Sequence, residues 1–277
     1  MLKIGSYNTL KVNRQVDFGV FLENPNGGEI LMPKKYVPSN CNIGDEIKVF
    51  VYPDTEDRLV ATTEEPFAEV GMFAYLRVAQ VSQYGAYLDW GLIKDLFVPY
   101  SEQIMKMKEG NGYLVYIDLD TKTNRLYASA KLEKFTLKDF PPYEFGEEVD
   151  IIIWSKTDLG YKAIINHSYV GTLYENEVFS RLYPGEETKA FIKKVREDSK
   201  IDLYLHRPGH IKLKENSDLV FEKLEEMGGF IASTDKSPAE EIYEIYGLSK
   251  KNYKKAVGDL FKARKIVIED KGIRIVK

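Results

Sequence analysis

The sequence predicts a mainly β, multidomain chain: three tandem five-stranded barrels of the OB type, followed by a small α+β domain. Three observations predict it. The first three quarters contains copies of one strand-rich unit. Each copy has the same order of short strands with turn residues between them. After about His210 the apolar period changes from two to 3.6.

The repeat is nearly gapless between the first two copies. Phe18-Gly19-Val20-Phe21 recurs as Tyr84-Gly85-Ala86-Tyr87, and Met32-Pro33 as Val98-Pro99. Gly19 and Gly85, Pro33 and Pro99, and Gly44 and Gly110 are each 66 residues apart. A looser third copy places Gly160 and Gly185 at the positions of Gly85 and Gly110.

Within the first copy, 1–66, a strand over Tyr7–Val12 leads to one over Phe18–Leu22. The turn Pro25-Asn26-Gly27-Gly28 then connects to Glu29–Pro33. Gly44 introduces Ile47–Val51, and Asp57–Thr62 closes the unit, a Greek-key order. The second copy, 67–134, keeps that order. Lys131–Tyr143, with Pro141-Pro142, reads as a linker. The third copy, 144–209, carries the apolar strand Val149–Trp154 and the turn Thr157–Gly160. The last domain, 212–277, opens with a helix bearing Leu219, Leu224 and Met227 that stops at Gly228-Gly229. Ser237-Pro238-Ala239-Glu240 reads as an N-cap, N1 proline and capping-box Glu; that helix ends at Gly247, and Ser249 opens another reaching about Lys265. Ile266–Glu269 and Ile273–Val276 flank Asp270-Lys271-Gly272 as a hairpin. Three helices closed by a hairpin make a winged helix.

Composition limits the function classes. One cysteine, Cys41, leaves no intramolecular disulfide and no multi-cysteine metal site. No apolar run approaches the ~18 residues that cross a bilayer, and the N-terminal residues lack a signal-peptide core, so a cytoplasmic chain without membrane contact is expected. The net charge of −4 argues against a wholly electrostatic nucleic-acid binder. It suits a protein that stacks bases on aromatic rings, for which 19 Tyr and 14 Phe are available.

Candidate binding residues follow. Phe18 with Phe21 and Tyr84 with Tyr87 bracket a glycine; a bulge there would turn both rings to the outer face, against the alternative that one ring fills the interior. In the third copy Tyr161 offers one ring and Lys162 a phosphate contact. Arg58 and Arg125 precede the closing strands, as phosphate or base contacts or simply as turn residues. In the Ser249–Lys265 helix, Tyr253, Val257, Leu260 and Phe261 form an apolar stripe; Lys250, Lys251, Lys254, Lys255, Lys262 and Lys265 lie opposite, a face for nucleic acid, for protein or for water. The histidines, His167, His206 and His210, do not make a metal set, and neither a catalytic carboxylate spacing nor a phosphate-cradling glycine loop is present. No cofactor, metal or catalysis is expected.

With their aromatic–Gly–x–aromatic strands, the three barrels resemble S1 RNA-binding domains. The run Asp235–Ile242, with Gly247–Lys251 and Tyr253–Gly258, resembles the winged helix of the bacterial conserved virulence factor B family. That resemblance spans essentially the whole chain and implies RNA binding that affects gene expression, without catalysis. It places Phe18, Phe21, Tyr84 and Tyr87 at the S1 aromatic positions and Arg58 and Arg125 at the basic position. Where many S1 domains carry a histidine, this chain has Pro33 and Pro99, with Gly171 at that point in the third copy. The expected partner is therefore single-stranded RNA held by several weak sites. Docking on ribosome or transcription machinery is the alternative, with duplex nucleic acid a further option for the winged helix; an RNA-processing enzyme is the least supported reading.

Overall fold

The computed structural model describes residues 1–178, 180–205, 216–234 and 236–276. His206, His210 and Asp235 lie outside the described residues, as does the segment between the third barrel and the last domain. The chain divides into two compact units, Met1–Leu137 and Lys138–Lys277.

In the first unit, β1 (Ser6–Val16), β2 (Gly19–Glu23), β3 (Glu29–Pro33), β4 (Glu46–Pro53) and β5 (Leu59–Thr62) close a barrel in the order β1-β2-β3-β5-β4. Strand alternation fills it: Val20 and Leu22 of β2 and Ile30 and Met32 of β3 point inward with Leu10, Val12, Val49 and Val51. The second copy follows with β6 (Phe73–Val81), β7 (Gly85–Asp89), β8 (Leu96–Pro99), β9 (Gly112–Asp120) and β10 (Arg125–Ser129).

These strands keep the order, β10-β9-β6-β7-β8, but no ladder joins β8 to β10, so this copy is a curled five-stranded sheet and not the closed barrel expected. A single ladder pair, Leu31 with Val60, closes that seam in the first barrel, and its counterparts Phe97 and Leu126 merely come alongside.

The two copies share a core. Phe50 of β4 meets Trp90 edge to face, with ring centroids 5.7 Å apart, and Tyr52 and Val60 join the same apolar cluster. Lys94 Nζ donates to the carbonyls of Pro53 (3.1 Å) and Asp54 (2.6 Å). The start of the expected linker is also anchored: Leu132 is buried, and Phe135 stacks on Tyr116 at 4.1 Å.

In the second unit, β11 (Glu148–Thr157), β12 (Gly160–Ile165), β13 (Tyr169–Tyr174), β14 (Glu187–Val195) and β15 (Ile201–Tyr204) close a barrel of the same order. Here three parallel pairs, Gly171/Ile201, Thr172/Asp202 and Leu173/Leu203, seal the seam. A winged helix ends the chain: α1 (Asn216–Glu226), β16 (Phe230–Ile231), α2 (Ala239–Tyr246), α3 (Lys250–Lys262), β17 (Ile266–Glu269) and β18 (Gly272–Ile275).

Three local expectations need correction. Met227 lies past the end of α1 and is exposed, and Phe261 is 51% exposed instead of joining the stripe of Tyr253, Val257 and Leu260. The buried face of α3 is completed by Ala256 and Leu260, so Phe261 falls to the side. Ser237 does not cap α2. Its Oγ accepts from the Thr234 N–H at 3.1 Å, and Pro238 takes the cap position without a side-chain bond. Ser249 does cap α3, accepting from Asn252 N–H at 3.2 Å, and Gly247 closes α2 in the left-handed conformation (φ 66°).

Candidate nucleic-acid interface

One geometric device recurs in all three copies. Gly19 pairs with Pro33, Gly85 with Pro99 and Gly160 with Tyr174 at the start of the second hairpin strand. A Cβ at these glycines would lie 2.2 Å from Met32 O, 2.2 Å from Val98 O and 2.1 Å from Leu173 O. The glycine therefore lets two backbones approach closely; it is not the expected bulge. The bulge sits instead in the preceding strand, at Asn13, Ala79 and Trp154, where the register with β2, β7 and β12 slips. The same pairing corrects the third copy: Tyr174, not Gly171, stands where Pro33 and Pro99 stand.

In the first barrel Phe18, in the turn before β2, is 60% exposed, and half-buried Phe21 meets it edge to face at 6.3 Å. The Arg14 guanidinium lies 3.9 Å over the Phe21 ring. It also forks onto Glu29, with Nη2 2.7 Å from Oε2, and its hydrogen bonds hold the Glu29 carboxyl below the usual carboxylate range.

In the second copy Tyr84 is 67% exposed, and half-buried Tyr87 packs against Phe97 of β8 at 5.1 Å. These rings line a groove of about 1080 Å³ that also takes in Lys94, Arg125 and Tyr127. Four carboxylates border it, each already engaged, and Asp57 is held by Arg125. Asp118 accepts from Tyr127 OH (2.8 Å), Asp120 from Thr123 Oγ1 (2.8 Å), and Glu102 from Ser129 Oγ (2.5 Å) and Lys134 Nζ (3.0 Å).

The two arginines are occupied. Arg58 donates to Asp54 (Nε 3.0 Å, Nη2 2.8 Å) and pairs with Glu56 at 2.8 Å. Arg125 reaches across to Asp57 of the first barrel, donating through Nε and Nη2 to one carboxylate oxygen. That bond holds Asp57 below its ordinary pKa. Both guanidiniums stay largely exposed, yet each already has an anion.

Tyr161 of the third copy is 6% exposed and belongs to the barrel core, because it follows Gly160 as Val20 follows Gly19 and points inward. Lys162 takes the outward position, its Nζ 3.8 Å above the Trp154 ring. On α3, Lys251, Lys254 and Lys255 are exposed; Lys250 is half-buried and donates to Lys236 O at 3.4 Å.

Phe97, Arg14, Trp154 and Tyr174 also make ring contacts beside these positions, and no sequence motif singles them out. Of these, Phe97 is the one that hairpin register would find, since it stands opposite Tyr87.

Among the described residues, no group of three or more His, Cys, Asp or Glu side chains is placed to hold a metal ion, and no helix is long and apolar enough to cross a membrane.

The S1 domain family matches residues 4–64, and the CvfB-like winged helix domain family matches residues 218–275. Curated relatives share similarity along nearly the whole chain. The conserved virulence factor B of Staphylococcus epidermidis is 26% identical, covering 99% of this chain and 95% of its own length. That of Staphylococcus aureus is 25% identical, covering 99% and 94%. A solved multidomain protein with nucleic acid binding domains from Streptococcus pneumoniae is 23% identical and covers 99% of this chain and 98% of its own, with a TM-score of 0.44.

Proposed function

Because the chain resembles the conserved virulence factor B proteins from end to end, with an S1 domain at its start and their winged helix at its close, we propose that it is a non-catalytic binder of single-stranded RNA that acts on gene expression after transcription. S1 and winged-helix domains are nucleic-acid-binding types. The observation that carries the single-strand reading is the outward aromatic pair repeated at equivalent places, exposed Phe18 with half-buried Phe21 and exposed Tyr84 with half-buried Tyr87, the second pair lining a groove of about 1080 Å³. Rings on a barrel face stack any base, so sequence preference is modest. The occupied state of Arg58 and Arg125 and the net charge of −4 point to stacking over phosphate pairing as the main source of affinity in this unit.

Fluorescence anisotropy with labelled single-stranded RNA tests this. The intact protein binds, and Tyr84→Ala with Tyr87→Ala weakens binding by about tenfold or more, since each stacked base contributes roughly 1–3 kcal/mol. Unchanged affinity in the double variant rules out stacking at this pair. The exposed lysines of α3 favour a second contact, with the phosphates of single-stranded or duplex nucleic acid. Competition by duplex DNA against bound RNA separates those two.

A further inference from the structure

The third barrel lacks the aromatic pair of the first two, with Leu159 and Lys162 at the places of Tyr84 and Tyr87. We propose that it nevertheless carries its own base-stacking site, built on Trp154 and Tyr174. This rests on the single-strand reading above and adds a site at which the repeat itself shows no ring.

The β11 bulge creates the first platform. Ile153 pairs with Ala163 and Ser155 with Lys162, so Trp154 is left without a ladder partner beside Lys162. The corresponding bulge residues in the other copies, Asn13 and Ala79, have no ring. The indole is half-buried, lies outside the barrel's apolar cluster and carries the Lys162 ammonium on one face at 3.8 Å.

Register supplies the rest. Lys162 pairs with Thr172, and Thr172 with Asp202, on the face opposite the inward Ala163, Gly171 and Ile201. Two residues on, Tyr174 and Tyr204 continue that outer face, with Lys193 Nζ 5.6 Å and 4.9 Å from their ring centroids. Arg196 fixes Tyr174 in place: Nε donates to Asp202 Oδ2 at 3.0 Å, Nη2 donates to the Tyr174 hydroxyl, and that hydroxyl donates to Asp202 Oδ1 at 3.2 Å. Rings and cations thus alternate across the strands.

A single strand offers the matching alternation of base faces and phosphates. A base arriving at Trp154 takes the ring face that the Lys162 ammonium covers and leaves that ammonium beside the adjoining phosphate. Glu177 pairs with Lys193 and Asp202 with Arg196, so the face is close to neutral and its ligand is held by stacking more than by charge.

The chain provides its own reporter. Its two tryptophans are Trp154 and Trp90, and Trp90 is 2% exposed with Nε1 bonded to Lys94 O. Titrating the intact protein with oligouridylate, followed by both intrinsic fluorescence and anisotropy of a labelled strand, gives the test. Binding quenches the Trp154 emission. Trp154→Ala and Tyr174→Ala each weaken binding by about fivefold or more. Trp154→Phe, which keeps a ring, retains more affinity than Trp154→Ala while the quench disappears.

Binding by anisotropy without a quench, or Trp154→Ala matching the wild type, overturns this site. If Tyr84→Ala with Tyr87→Ala still weakens binding in that case, the wider single-strand reading stands without it. No binding by the wild type overturns both.

Discussion

Arg125 and Asp57 show how a side chain suited to phosphate is held by a carboxylate from the neighbouring barrel, within the groove that also presents Tyr84 and Tyr87. Asp57→Asn removes that anion. Affinity for single-stranded RNA is then expected to rise, and the plot of log K against log salt to steepen by about 0.7 for one further phosphate neutralised. Titrations at several salt concentrations measure it; an unchanged slope means that Arg125 serves only to join the barrels. His167 gives a pH prediction. Burial pushes its imidazole below the usual value of 6.5, with Glu187 and Asp150 opposing that effect. Charging it costs more in the folded barrel than in the unfolded chain, so its contribution is complete above about pH 6.5 and is lost as pH falls below that. Thermal unfolding at about pH 7.5 and pH 5.5 should show a smaller drop in His167→Asn, asparagine being tolerated at the local φ of 51°. Tyr161 and Lys162 mark what the sequence withheld at this scale. Both sit beside Gly160, and only strand parity decides which faces out. Counting from the glycine in the first copy, Val20 inward and Phe21 outward, would have assigned them correctly.

Strands and helices were legible where a turn residue marked their ends. The glycine before each second hairpin strand was visible as a repeat, though its reason, the close approach of a carbonyl, needed coordinates. Gly160→Ala places a Cβ against Leu173 O, which is backbone and cannot turn aside. Loss of more than about 1 kcal/mol is expected in denaturant unfolding of this barrel, against a gain of about 0.5–1 kcal/mol for Gly258→Ala inside α3, whose surroundings are open. The bulges were not legible, because Asn13, Ala79 and Trp154 share no residue type. In the winged helix the Ser-Pro-Ala-Glu signal marked the start of α2 correctly, but Ser237 bonded backward to Thr234. Buried Ser233, a lone serine after β16, carries no sequence signal of its role. Its Oγ lies 2.6 Å from Tyr246 OH and 2.9 Å from Tyr253 OH, tying α2 to α3. Ser233→Ala removes the hydroxyl that the two tyrosines share, while Tyr253 OH keeps its bond to the Ser233 carbonyl at 3.2 Å, and should cost about 1 kcal/mol in urea unfolding, without altering the lysine face of α3.

Across the whole chain, the proposed weak RNA sites would gain from being linked, because binding at one raises the effective concentration at the next. The first two copies fold as one unit, and the sequence held a sign of it: Val49-Phe50-Val51-Tyr52 is an unbroken apolar run, the pattern of a strand covered on both faces. Phe50 meets Trp90 across that second face. The lysines of α3 offer positive charge where Arg58 and Arg125 of the first unit are already paired with carboxylates. Replacing Lys250, Lys251, Lys254 and Lys255 with Gln should flatten the salt dependence by about 0.7 for each phosphate no longer neutralised, and leave a stacking component that salt barely affects. The most direct test of the central claim is ultraviolet crosslinking of single-stranded RNA to the intact protein, with the attached residues mapped by mass spectrometry. Stacking on the paired rings predicts crosslinks in the peptides bearing Phe18/Phe21 and Tyr84/Tyr87. Crosslinks that avoid both aromatic pairs while the protein is saturated with RNA would contradict it.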